Sequence, residues 1–95
     1  MSDEIKTFHI IVKGSVQGVG FRSLVKHHAD KLNLTGAVKN LSNGTVEIYV
    51  QGDQSRVAQL ISSLKEGKGL ANAEHINVDD DVRSPKKYLS FEIVF

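Results

Sequence analysis

The stretch Lys6–Leu32, KTFHIIVKGSVQGVGFRSLVKHHADKL, changes its hydrophobic period partway along. Over residues 6–13, Phe8, Ile10 and Val12 alternate with Thr7, His9, Ile11 and Lys13, the period of two that marks a half-buried strand. Residues 14–21 break that pattern with Gly14, Gly18 and Gly20 and predict a loop. Over residues 22–32 the period becomes helical. Phe21, Val25, Ala29 and Leu32 form an apolar stripe, Lys26, His27, Asp30 and Lys31 are expected toward water, and Asn33 is the expected left-handed cap.

Outward from this unit, residues 35–41 predict a second strand, and Asn43-Gly44 signals a tight hairpin turn. A third strand follows, with Val46, Ile48 and Val50 inward and Thr45, Glu47, Tyr49 and Gln51 outward. Asp53 is placed to cap a helix over 54–66 whose apolar face is Val57, Leu60, Ile61 and Leu64, with Gly67 as its stop. A looser segment over 68–73 leads to a strand with Ile76 and Val78. A turn near Ser84-Pro85 then precedes a last strand with Leu89, Phe91, Ile93 and Phe95 on one face. The order β-α-β-β-α-β plus a final strand predicts an α+β, ferredoxin-like split β-α-β sandwich, with two helices on one face of a mainly antiparallel sheet.

Composition narrows the function classes. The chain has 95 residues, 40% hydrophobic and 24% charged, and fits a single domain over 1–95. Its net charge of +1 gives no global attraction to nucleic acid or to an anionic membrane, so any anion must be bound locally. With no cysteine there is no disulfide, thiolate nucleophile or thiolate metal site. Residues Met1–Thr7 are polar and read as no signal segment, which predicts a cytoplasmic protein.

The topology itself makes a candidate site. In a split β-α-β unit the first two strands are parallel, with the third between them, about 9–10 Å apart. Loop 14–21, the start of the first helix and the end of the second strand, Lys39-Asn40-Leu41, therefore meet at one edge. Glycines allow positive φ, so that successive N–H groups can face one concavity. The helix N-terminus adds partial positive charge, and Arg22 adds a planar fork suited to phosphate oxygens. On spacing alone an ordinary turn fits the glycines equally well, Arg22 fits a surface residue, and Asn40 fits a turn residue before the hairpin. The loop is neither a Walker A motif nor a dinucleotide fingerprint, since the lysine and the glycine spacing they need are missing.

Taken together, Val16-Gln17-Gly18-Val19-Gly20-Phe21-Arg22 resembles the signature loop of acylphosphatases, and Gly36-Ala37-Val38-Lys39-Asn40 followed by Asn43-Gly44-Thr45-Val46-Glu47 resembles their second motif. The resemblance runs over nearly the whole chain. It implies hydrolysis of the carboxyl–phosphate bond of a small acyl phosphate, with no cofactor and no metal. It further implies Arg22 as phosphate-binding catalytic arginine and Asn40 as the residue that positions the attacking water. The phosphate contacts it implies come from the loop Ser15, Val16, Gln17, Gly18, Val19, Gly20 and Phe21. Ser15, Ala37, Lys39 and Asn43 depart from the residues common at those places in the family, and none is one of the two catalytic positions.

Other classes fit less well. An RNA recognition motif shares the fold but stacks bases on strand aromatics, and Tyr49 beside Glu47 makes a poor platform. A non-catalytic small-molecule-binding domain, or an acylphosphatase-like domain handling carbamoyl phosphate, is the alternative. His27 and His28 diverge by about 100° on a helix and share no ligand readily. His9 and His75 read as strand surface, Asp79-Asp80-Asp81 as a solvated turn, and Lys86-Lys87 as a protected edge. The expected state is a monomer without nucleic-acid or membrane partners.

Overall fold

The structure, a computed structural model, describes residues 5–66, 72–83 and 86–95. The elements run β1 (Lys6–Ser15), α1 (Phe21–Lys31), β2 (Thr35–Asn40), β3 (Val46–Gly52), α2 (Gln54–Glu66), β4 (Asn72–Val82) and β5 (Phe91–Val94). They form one five-stranded sheet of order β4-β1-β3-β2-β5, antiparallel except for the β2–β5 pair. This is the ferredoxin-like α+β arrangement, with β3 between the parallel β1 and β2. The expected stop at Gly67 and turn at Ser84-Pro85 lie outside the described residues.

The core lies between the sheet and the two helices. Phe8, Ile10 and Val12 of β1 and Val46, Ile48 and Val50 of β3 are buried, with Val25 and Ala29 of α1 and Val57, Leu60 and Leu64 of α2 packed above them. Burying a side chain of this kind contributes about 1.5–3 kcal/mol, so this double layer dominates the favourable side of folding. α1 ends at its cap for a local reason. Asn33 takes φ 55°, its N–H donates to Asp30 O (3.1 Å), and Leu34 N–H donates to Ala29 O (2.9 Å). These two bonds satisfy carbonyls that the last turn leaves without intrahelical partners.

Three local expectations are corrected and one is made specific. The tight hairpin expected at Asn43-Gly44 joins β2 to β3, and it is not of type I′, which needs positive φ at both central residues. Gly44 has φ 89° but Asn43 does not. Gly44 N–H donates to Leu41 O (3.2 Å), Leu41 N–H donates to Thr45 O (2.9 Å), and the loop is three residues, Ser42-Asn43-Gly44. Thr45 is buried rather than outward, because Asn43 Oδ1 accepts from both its N–H (3.1 Å) and its hydroxyl (2.6 Å). Lys26 is half-buried, its Nζ donating to Phe91 O (2.9 Å) and Asp30 Oδ2 (3.0 Å), and so docks α1 on β5. The last strand buries Phe91 and half-buries Ile93, while Leu89 and Phe95 are exposed. Its pairing with β2 runs from Gly36↔Phe91 to Lys39↔Val94, so the apolar residues beyond those ends have no sheet surface to lie on.

Candidate active site

The polypeptide turns sharply where β1 meets the loop. The β1–β4 register slips between Lys13 and Gly14. Gly14 has φ 133°, and a Cβ there would stand 2.2 Å from Asn72 O. Val16 anchors the loop, its side chain 1% exposed in the core and its N–H donating to Gly14 O (3.0 Å). Gly18 (φ 75°) and Gly20 (φ 79°) differ from Gly14, since a Cβ at either would meet nothing within 4 Å. Glycine is favoured at these two positions by backbone conformation rather than by space. Gly20 is the N-cap of α1 and offers no side-chain cap, and the first turn holds no acidic residue. Among the described residues, no protein carbonyl accepts from the N–H groups of Gly18, Val19, Gly20 or Phe21. These donors lie at the positive end of a helix, an arrangement whose charge suits an anion.

The loop, the helix start, the end of β2 and the end of β5 enclose a cleft of about 100 Å³. Val16, Gly18, Gly20 and Phe21 line it from the loop, Arg22 and Ser23 from α1, Asn40 from β2, and Ile93 and Phe95 from the β5 side. Arg22 is half-buried; its Nη1 donates to Val94 O (3.0 Å) and its Cζ lies 4.8 Å from the centre of the Phe95 ring. A carbonyl and a ring face hold the guanidinium without neutralising it, so its full charge remains for an anion. Asn40 Oδ1 is buried and accepts from no protein group among the described residues. Leaving such an acceptor unmet costs about 1–3 kcal/mol, which is unusual enough in a folded protein to require a reason. A larger, more open groove of about 290 Å³ lies between the helices, lined in part by His28, Lys31 and Gln59, but the orphaned acceptor and the glycine loop belong to the smaller cleft.

The predicted site residues divide into two groups. Val16, Gly18, Gly20, Phe21, Arg22 and Asn40 line the one cleft. Ser15, Gln17 and Val19 do not. Ser15 is exposed at the end of β1, paired with Asn72, and Val19 packs against the core. Gln17 spends both amide hydrogens on the protein: Nε2 donates to Leu41 O (2.8 Å) and to Thr45 O (2.8 Å). Ser23, Ile93 and Phe95 are further cleft walls outside the predicted set; for Ile93 and Phe95 their shared face of the last strand is the available signal.

On the open face of the sheet, His9 Nε2 and Glu47 Oε2 are 2.9 Å apart, and the His9 ring tilts against Tyr49 at 4.7 Å. Gln51 Nε2 donates to Lys86 O (2.9 Å) and its Oε1 accepts from Tyr88 N–H (2.9 Å), laying residues 86–88 across that face. No helix among the described residues is long and apolar enough to cross a membrane.

The family model for acylphosphatase matches residues 8–93. The chain is 42% identical over 92 residues to an acylphosphatase of Geobacillus kaustophilus, covering 96% of each chain. The crystal structure of acylphosphatase from Bacillus subtilis superposes with a TM-score of 0.87 at 37% identity, covering 97% of this chain and 100% of that one. Full-length HypF in its phosphate- and nucleotide-bound form superposes with a TM-score of 0.88 at 34% identity, over 100% of this chain but 12% of that protein.

Proposed function

Because the chain belongs to the acylphosphatase family and is a hydrolase of acyl phosphates, we propose that the cleft between loop 16–21 and Asn40 is where the carboxyl–phosphate bond is broken, with Arg22 and Asn40 as the catalytic residues. The loop N–H groups and the Arg22 guanidinium receive the phosphoryl oxygens. Asn40 Oδ1 accepts a hydrogen bond from a water and aims its oxygen at phosphorus. The water oxygen forms the new P–O bond as the bond to the acyl oxygen breaks in line with it. The carboxylate departs with the electron pair, and a phosphoryl oxygen takes the water proton, leaving inorganic phosphate.

Each group suits the demand made on it. A carboxylate is a weak base and leaves without a general acid. Phosphoryl transfer through a loose transition state is catalysed mainly by positioning and charge, which one arginine, one amide and fixed backbone dipoles supply. The observation that carries the reading is the buried, unpartnered Asn40 Oδ1 in the same cleft as Arg22.

Phosphate release from benzoyl phosphate is the test. Asn40→Ala should lower kcat about 100-fold, the cost of a misplaced reactant, while inhibition by inorganic phosphate is kept. Full activity in Asn40→Ala would remove Asn40 from the reaction. The reading also covers the rest of the molecule. Residues 1–95 act as one domain and as a monomer, since one chain contributes every group the site uses. Nucleic acid is no partner, because Glu47 and Glu92 flank the open-face aromatics, and a cytoplasmic setting suits the cysteine-free composition. The carbamoyl phosphate alternative is not favoured: relatives matched along their whole length are acylphosphatases, whereas HypF is matched over a small part.

A further inference from the structure

We propose that Gln17 is a positioning residue, whose side-chain amide fixes the phosphate loop against the end of β2 and so sets where Asn40 stands relative to the bound phosphoryl group. The proposal rests on the reading of the cleft given above. β1 and β2 are not neighbours in the sheet, because β3 lies between them. Val12 of β1 and Asn40 of β2 each pair with Val46 of β3, so the ladder links them only through that strand and no ladder joins the loop after β1 directly to the end of β2.

Gln17 supplies that link directly. Its Nε2 donates to Leu41 O and Thr45 O, 2.8 Å to each, and Leu41 follows Asn40 in the chain. The receiving carbonyls are themselves fixed: Leu41 N–H donates to Thr45 O, and Asn43 Oδ1 holds Thr45 through two further bonds. An amide with two N–H groups can serve two carbonyls at once, and with both used, Nε2 has no hydrogen left for a phosphate. The residue sits among the phosphate-binding amides but acts on the other half of the site. A gap set correctly brings water and phosphorus to reacting distance, and an error of about 1 Å in such a distance costs about 100-fold in rate.

The test is a double-mutant cycle with Gln17→Met, which keeps the length of the side chain and removes both N–H groups. In the otherwise native chain, Gln17→Met should lower kcat for benzoyl phosphate by about 10–100-fold. The inhibition constant of inorganic phosphate should stay within about two-fold, because the loop amides and Arg22 are untouched. In the Asn40→Ala background the same substitution should have almost no further effect, because the residue through which it acts is gone. Wild-type kcat in Gln17→Met, weakened phosphate inhibition, or a loss that persists undiminished in Asn40→Ala would each overturn the proposal. If Gln17→Met does not fold, Gln17→Asn, with the same donors on a shorter arm, carries the same three readouts. Failure of the native chain to release phosphate, or full activity in Asn40→Ala, counts instead against the reading of the cleft itself.

Discussion

At the scale of the residue, Arg22 is informative because it stands where a cation is disfavoured. It lies in the first turn of α1, at the positive end of the helix dipole, with no acidic residue in that turn. Such a placement costs about 0.3–1 kcal/mol, and its contact with the Phe95 ring returns about 0.5–1 kcal/mol. Arg22→Gln should therefore shift the melting temperature by little, while turnover of benzoyl phosphate falls about 10³-fold or more, the range seen for arginines that serve a phosphoryl transition state. Thermal melting and a phosphate-release assay on the same preparation check both halves. Gly20 makes a complementary case. Gly20→Ala meets no atom, yet forces a Cβ into the left-handed region at a cost of about 1–2 kcal/mol.

At the scale of the element, β2 depends on Gly36. Its φ is 148°, and a Cβ would stand 1.9 Å from Tyr49 O, a backbone atom of the paired β3. Gly36→Ala must push the two strands apart, and because β2 carries Asn40, it should lower both stability, by about 3 kcal/mol or more, and kcat. Denaturant unfolding beside the activity assay reads out both effects. α2 depends on Asp53 in a pH-dependent way. The Arg56 side chain donates to the Asp53 carboxylate, and Arg56 Nη1 also donates to Leu32 O (3.1 Å) at the end of α1. That hydrogen bond, aided by the charge of Arg56, holds the Asp53 carboxyl below its ordinary value of 3.8. A depressed carboxyl pKa means that the unfolded chain binds the proton more readily. Its contribution is thus present above pH 3.8 and is lost as pH falls through the lower folded value. Asp53→Asn should flatten the acid limb of the stability–pH curve, and equal acid limbs in the two proteins would contradict this.

At the scale of the whole molecule, the two faces of the sheet carry different chemistry. The helix-covered face is apolar, while the open face carries Tyr49 and Tyr88 beside Glu47 and Glu92. Partial burial raises both phenol pKa values above 10.0, and the nearby carboxylates raise them further. A raised phenol pKa favours the folded chain only while its proton is on. The contribution is whole below pH 10, and it declines as pH rises from 10 toward the higher folded values. The sequence has two tyrosines and no tryptophan, so tyrosinate absorbance reports these two groups alone. Both should titrate later in the folded chain than in urea; coincident curves would count against the packing of residues 86–88 over the sheet.

Period and punctuation in the sequence specified the order of elements, because alternation over Phe8–Val12, the helical stripe from Phe21 to Ala29 and the cap at Asn33 are local properties of the chain. They also brought Arg22 and Asn40 to one sheet edge, since a right-handed crossover leaves parallel strands ending together. What the chain alone could not fix was long-range. The two carbonyls that Gln17 holds lie 24 and 28 positions away, and Val94 O, which holds Arg22, lies 72 positions away. Asn40 Oδ1 is orphaned only because the surrounding elements bury it. Side-chain partners of this kind are chosen by packing in three dimensions, and no local propensity encodes them.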